Sequence, residues 1–361
     1  MDRAPDLASS DDISKAELRL AGRNHAMPLE ALRYDLTPVG LHYLLIHYDI
    51  PEVDVADYRL SVTGAVEREL SLSLEDLRAR PAATLAVTME CAGNGRVQLS
   101  PRPISQPWMV EAVGTAEWTG TPLRGVLEEA GVAPPAVEVA FAGLDRGVEG
   151  GVDQCYERAL PIAEALRDDV LLAYAMNGGP LPPQHGHPLR LVVPGWYGMT
   201  NVKWLGRVEV LTEPFTGYQN TSAYRVRQTQ DEAGEPLSRM LPRSLLVPPG
   251  IPDFTTRERI VPPALCELRG RAWSGYGPIE RVEVSTDGGR SFVDARLEPP
   301  VSAAAWRGFA LLWEPPGPGA YELSTRATDA AGNSQPLEPR WNLGGYANNA
   351  VERVAVTVSS G

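Results

Sequence analysis

The chain has 361 residues, 43% apolar and 22% charged, which is ordinary for a folded globular protein and long enough for two domains. A net charge of −13 excludes a general nucleic-acid binder and confines any basic site to a local cluster. No run of about 18 apolar residues occurs, so no membrane span is expected, and the polar N-terminus holds no stretch suited to a signal peptide.

Residues 1–22 are polar and read as a loose N-terminal arm. From residue 29 a short helical turn, a break at Thr37-Pro38 and an apolar extended run follow. Residues 58–64, YRLSVTG, alternate and end in glycine, which predicts a strand. Residues 73–81, SLEDLRARP, predict a short helix capped by Ser73 and stopped by Pro81. A second helix is expected over 122–132, closing at Gly131, followed by a strand in PAVEVAFAG. Residues 160–178 read as a helix and then a buried extended segment, and PLRLVVPGWYG and VKWLGRVEVL as further strands. The pattern over 23–226 is a mixed α+β domain with no regular βαβ rhythm. Residues 227–258, rich in Pro, Arg and polar residues, read as a wrapping linker. Beyond it, over 259–361, short alternating strands are punctuated by turns such as Asp287-Gly288-Gly289, as in an immunoglobulin-like β-sandwich without a cysteine pair.

The three cysteines, Cys91, Cys155 and Cys266, form neither a CxxC zinc pattern nor a disulfide framework, which fits a reduced, cytoplasmic setting. Cys91 lies in TMECAGNGR, directly after an apolar run. Its bland reading is a small buried hydrophobe. Against that, Gly93 and Gly95 permit a sharp turn and a close approach, and Asn94 and Arg96 bring polar donors. Cys91 is then a nucleophile, which needs a histidine base, or a ligand to a soft metal. One thiolate cannot hold a metal alone, so the metal would arrive inside a cofactor.

A second cluster, residues 184–207, gathers His185, His187, Arg190 and Lys203 around Gly and Pro turns; Lys203 is one of only two lysines in the chain. Arg190 stands among apolar residues and needs a partner, either a carboxylate or a ligand anion such as a phosphate. Neither GxGxxG after a strand nor GxxxxGK[ST] is present.

Three stretches, ECAGNGR (90–96), HGHPLRLVVPGWYGMTNVKWLGRVEV (185–210) and AWSGYGPIERVEVSTDGG (272–289), together resemble the sulfite oxidase family of molybdenum enzymes from about residue 29 onward. The resemblance implies molybdenum–molybdopterin as cofactor, with Cys91 as the single protein thiolate on the metal. It implies cofactor contacts from Tyr43, His47, Asp145, His185, Arg190, Asn201, Val202 and Lys203, and places Tyr224 on the substrate side. It also implies a homodimer through the C-terminal sandwich, a small-molecule substrate and, since no haem motif is present, a separate electron carrier.

Two positions depart from the family pattern. Leu45 stands where sulfite-oxidising members place a substrate arginine, with Arg23–His25 an upstream RNH read as coincidence. Ala310 is assigned to the place of a second such arginine, with Arg307 nearby. Losing one charged hydrogen bond costs about 1.5–3 kcal/mol, so the anion clamp is thinned. The leading expectation is a cytoplasmic oxygen-atom-transfer oxidoreductase. The alternatives are an S-oxide or N-oxide reductase on the same cofactor, a non-catalytic binding protein with a decayed cofactor domain, and a thiol hydrolase.

Overall fold

The computed structural model describes residues 13–360. Two sheets build the first domain. In one, Leu70–Leu72, Leu60–Gly64, Leu205–Leu211, Glu138–Glu149 and Val152–Pro161 lie side by side, with only Leu60–Gly64 and Leu205–Leu211 parallel. The other is antiparallel and takes Ala83–Glu90, Val113–Pro122, Leu171–Met176 and Gly179–Pro180 in order, with Arg190–Val192 also paired to Leu171–Met176.

Local chemistry sets these elements as the residues predict. Leu60 and Val62 point into the core while Ser61 and Thr63 face outward. Ser73 and Asp76 close a reciprocal cap on helix Leu74–Arg78. Helix Leu123–Ala130 buries Leu123, Val126, Leu127 and Ala130 on one stripe, and Gly131 ends it at φ +72°.

The C-terminal domain is a two-sheet β-sandwich. One sheet runs Arg243–Leu246, Cys266–Trp273, Arg307–Trp313, Arg296–Leu297. The other runs Ile251–Pro252, Arg259–Val261, Arg353–Val358, Gly319–Asp329, Ile279–Ser285, Val293–Asp294. Leu246, Leu268, Val282, Phe309, Leu323 and Val356 fill the space between them. No helix among the described residues is long and apolar enough to cross a membrane.

Two segments differ from the sequence reading. Within the expected arm, residues 1–12 lie outside the described residues, but Lys15–Ala21 forms a helix with a capping box between Ser14 and Glu17. The expected linker contributes Arg243–Leu246 as a strand to the sandwich. Prolines at 242 and 248 bound this strand and hide its pattern, yet all four of its residues are buried.

Candidate active site

Cys91 is the first residue past strand Ala83–Glu90, and every polar neighbour in its motif is spent on fixing the loop. Asn94 donates Nδ2 to Glu90 Oε1 and to the Val110 carbonyl, and its Oδ1 accepts the Ala112 N–H. Glu90 is buried and accepts from Arg243 Nη1 at 3.1 Å and Trp273 Nε1 at 2.9 Å, both from the C-terminal domain. Arg96 donates Nε to the Gly344 carbonyl and Nη1 to the Gln106 carbonyl. Gly95 takes φ +82°, and a side chain there would press on Asn348 and Arg243. The motif is therefore a clamp, and the donors expected to face a ligand are turned onto the protein instead.

Cys91 lines a narrow, partly open cleft that leaves about 60 Å³ for the centres of water-sized molecules. Its wall includes Tyr43, His47, Asp145, His185, Arg190, Asn201, Lys203 and Tyr224, together with His42, Leu45, Tyr156 and Gly198. At Gly198 a methyl group would collide with the Tyr43 hydroxyl. Val202 is buried in the core, and its carbonyl accepts the Leu191 N–H. His187 is half-buried and off the wall.

The cations of this wall have no acid within ion-pair distance among the described residues. Arg190 donates to the carbonyls of His185 (3.0 Å) and Asn201 (3.2 Å) and lies 4.5 Å from the Trp118 ring centroid, while its Nε is buried without an acceptor. Burial draws its pKa down to about 10. Lys203 donates Nζ to the Leu45 carbonyl at 2.6 Å, and burial holds it well below the usual lysine range. Asp145 faces the same space, and burial raises it to about 6 against the pull of Lys203. A carboxylate partner for Arg190 is thus excluded within the described chain, and the ligand-anion alternative stands.

Burial also keeps the histidines of this wall, His42, His47 and His185, neutral. It lowers His42 to about 4 and His47 to about 3, the latter helped by Lys203 and Arg158. His42, which sequence reasoning missed, stacks on Tyr43 and leaves its Nε2 buried without a partner. Nothing near it in the chain marks it, because its place is set by Gly114 on a distant strand. His47 Nε2 lies 2.5 Å from the Tyr224 hydroxyl and its ring stacks on Tyr156. No histidine hydrogen-bonds Cys91 among the described residues, and burial pushes the Cys91 thiol up, so the nucleophile reading lacks its base. No cluster of three His, Cys, Asp or Glu side chains among the described residues could cage a metal. A lone thiol beside unpaired buried cations and the orphaned His42 Nε2 and Arg190 Nε suits a metal carried by a large anionic cofactor.

The two departures resolve differently. Leu45 is on the wall, as the motif spacing requires. Ala310 is not: it pairs with Arg269 inside the sandwich, and Arg307 binds the Glu298 and Ile279 carbonyls there. The C-terminal stretch that reaches the site is 342–348, where Ala347 N–H donates to the Ala92 carbonyl and Tyr346 lies 5.4 Å from the Tyr224 ring. The Ala310 assignment slipped because AWRGFALLWEP is a plain alternating strand with nothing to fix its alignment. Arg23–His25 proves to be a strut: His25 exchanges backbone hydrogen bonds with Leu44, Asn24 Oδ1 accepts the Ile46 N–H, and Arg23 donates to the Tyr48 carbonyl.

Comparison with known proteins decides the family. The oxidoreductase molybdopterin binding domain model matches residues 47–219, and the Mo-co oxidoreductase dimerisation domain model matches 257–359. Chicken sulfite oxidase is 39% identical over 88% of this chain and 72% of its own length; the mouse mitochondrial enzyme is 36% identical over 98% and 68%. The chain belongs to the sulfite oxidase family. It is a molybdopterin-dependent oxidoreductase. Other relatives of this family member include NADH nitrate reductase 1 of rice, 31% identical over 94% of this chain and 41% of that protein. The crystal structure of the sulfane dehydrogenase SoxCD from Paracoccus pantotrophus superposes with a TM-score of 0.79 at 27% identity, covering 99% of this chain and 95% of that one.

Proposed function

We propose that this protein oxidises sulfite or a closely related small sulfur oxyanion. Sulfite gains one oxygen derived from water, while two protons and two electrons leave, the electrons passing to a separate carrier. Cys91 would hold the metal, and Arg190, Lys203, His185 and His42 would meet the pterin and its phosphate. When bound, molybdenum supplies the two-electron couple and the transferable oxygen. The chain's own residues do the rest. Neutral His47 can carry its proton on Nε2 and donate to the Tyr224 oxygen, which frees the Tyr224 O–H to donate to a substrate oxygen. Leu45 and Tyr156 close the wall with apolar and aromatic surface that limits water.

The observation that carries this reading is the placement of Tyr224 and Cys91 on one wall, with the phenol held by His47. The match to the dimerisation model supports a second copy as partner, and Leu265, Val293 and Leu312 within it are more than half exposed. The nitrate reductase relatives favour a second reading, removal of oxygen from an N-oxide or S-oxide at the same site. Ferricyanide-coupled sulfite oxidation, assayed beside viologen-coupled reduction of nitrate and dimethyl sulfoxide on molybdenum-loaded protein, separates the two. Turnover only in the reducing direction would sink the oxidase reading.

A further inference from the structure

Arg158 has no part in the roles assigned above. It lies on strand Val152–Pro161, is 2% exposed, and reaches the π-helical turn Gln219–Ala223 that delivers Tyr224. Its Nη1 donates to the Gln219 carbonyl, its Cζ is 5.5 Å from the Tyr224 ring centroid, and its Nε is buried with no acceptor. No carboxylate among the described residues comes within ion-pair distance of it. A buried guanidinium without a counter-ion is costly, and a neutral amide could donate to one carbonyl as well.

The surroundings give that charge a use. Arg158 covers Tyr224, Tyr224 lies 5.4 Å from Tyr346, and Arg96 covers Tyr346 at 5.2 Å. Two phenol rings are thus bracketed by two cations that donate to backbone carbonyls. On the same wall, the Leu45 side chain contributes only hydrocarbon, and its carbonyl accepts Lys203 Nζ. The Leu45 side chain brings no charge to the cleft, and Arg158 places one behind Tyr224.

We propose that Arg158 is a positioning residue that determines specificity for anions: its guanidinium holds Tyr224 from the ring face and sets a positive field where a substrate oxyanion meets the phenol. This rests on the reading that a small oxyanion is turned over beside Tyr224. Arg158 acts through Tyr224 and stands off the cofactor wall, so it affects substrate anions and leaves cofactor loading intact.

The test uses molybdenum-loaded Arg158→Gln and Arg158→Lys, with Arg158→Met as a second neutral variant should the amide lower the melting temperature. Sulfate binding is measured calorimetrically, and sulfite KM and kcat with ferricyanide. The neutral variants should bind sulfate at least about tenfold more weakly and raise KM in parallel, with kcat falling less. Arg158→Lys should stay within about threefold of wild type. Sulfate affinity and KM unchanged in a folded neutral variant, or an equal loss in Arg158→Lys, would overturn the proposal. Wild type that binds sulfate in an Arg158-dependent way yet fails to oxidise sulfite would sink the substrate reading alone.

Discussion

Arg190 and Tyr224 put opposite demands on the chain. Arg190 is a buried charge with two carbonyls, a methionine sulfur and an indole face for company. In the cofactor-free protein it is uncompensated, so Arg190→Met should raise apo stability by about 1–3 kcal/mol. The same change should cut molybdenum content severalfold or more, because the proposed cofactor anion would lose its fork of donors. Calorimetric melting of apo protein and metal analysis of protein purified from cells check both halves; a destabilised variant with full metal would contradict them. Tyr224→Phe removes one hydroxyl and leaves His47 Nε2 without its partner. It should lower kcat about a hundredfold at unchanged molybdenum content.

At the scale of elements, helix Lys15–Ala21 is held by one buried pair. Glu17 and Arg102 are 1% and 4% exposed and meet at 2.5 Å. The Arg102 hydrogen bond is the main cause that lowers Glu17 from 4.5 to about 2. A folded-state pKa below the unfolded one means stability that is fully present above about pH 4.5 and is lost as pH falls towards 2. Glu17→Gln should cost about 3 kcal/mol at neutral pH and flatten the acid limb of the melting-temperature profile between those values. A variant whose acid limb matches wild type would contradict this. Ser73 with Asp76 and Gly131 after Leu127 announced their helices, since capping is written within four residues. Lys15–Ala21 carries the same local sign in Ser14 and Glu17, which the reading of a polar arm passed over, whereas Arg243–Leu246 depends on a partner strand at Cys266–Trp273 and has no local signature. The site divides likewise. Cys91, His185, Arg190 and Lys203 were legible because their motifs sit beside turns with distinctive glycines and prolines. His42 and Arg158 come from segments that gain meaning only when sheets bring them against Gly114 and Tyr224.

For the whole molecule, the proposed second copy predicts that sedimentation of purified protein returns twice the chain mass of 39.1 kDa at micromolar concentration; a value equal to the single chain would remove the dimer. The change in texture near residue 258 marked two domains, and contacts join them beside Cys91. Glu90, next to Cys91, is gripped by Arg243 and Trp273, and residues 344–348 cover Ala92, Gly95 and Arg96. The peptide behind the sulfur is therefore moored to the sandwich, not merely adjacent to it. Any tilt of the C-terminal sheets would pull on the main chain at Cys91 and so move the proposed metal ligand without passing through the cleft.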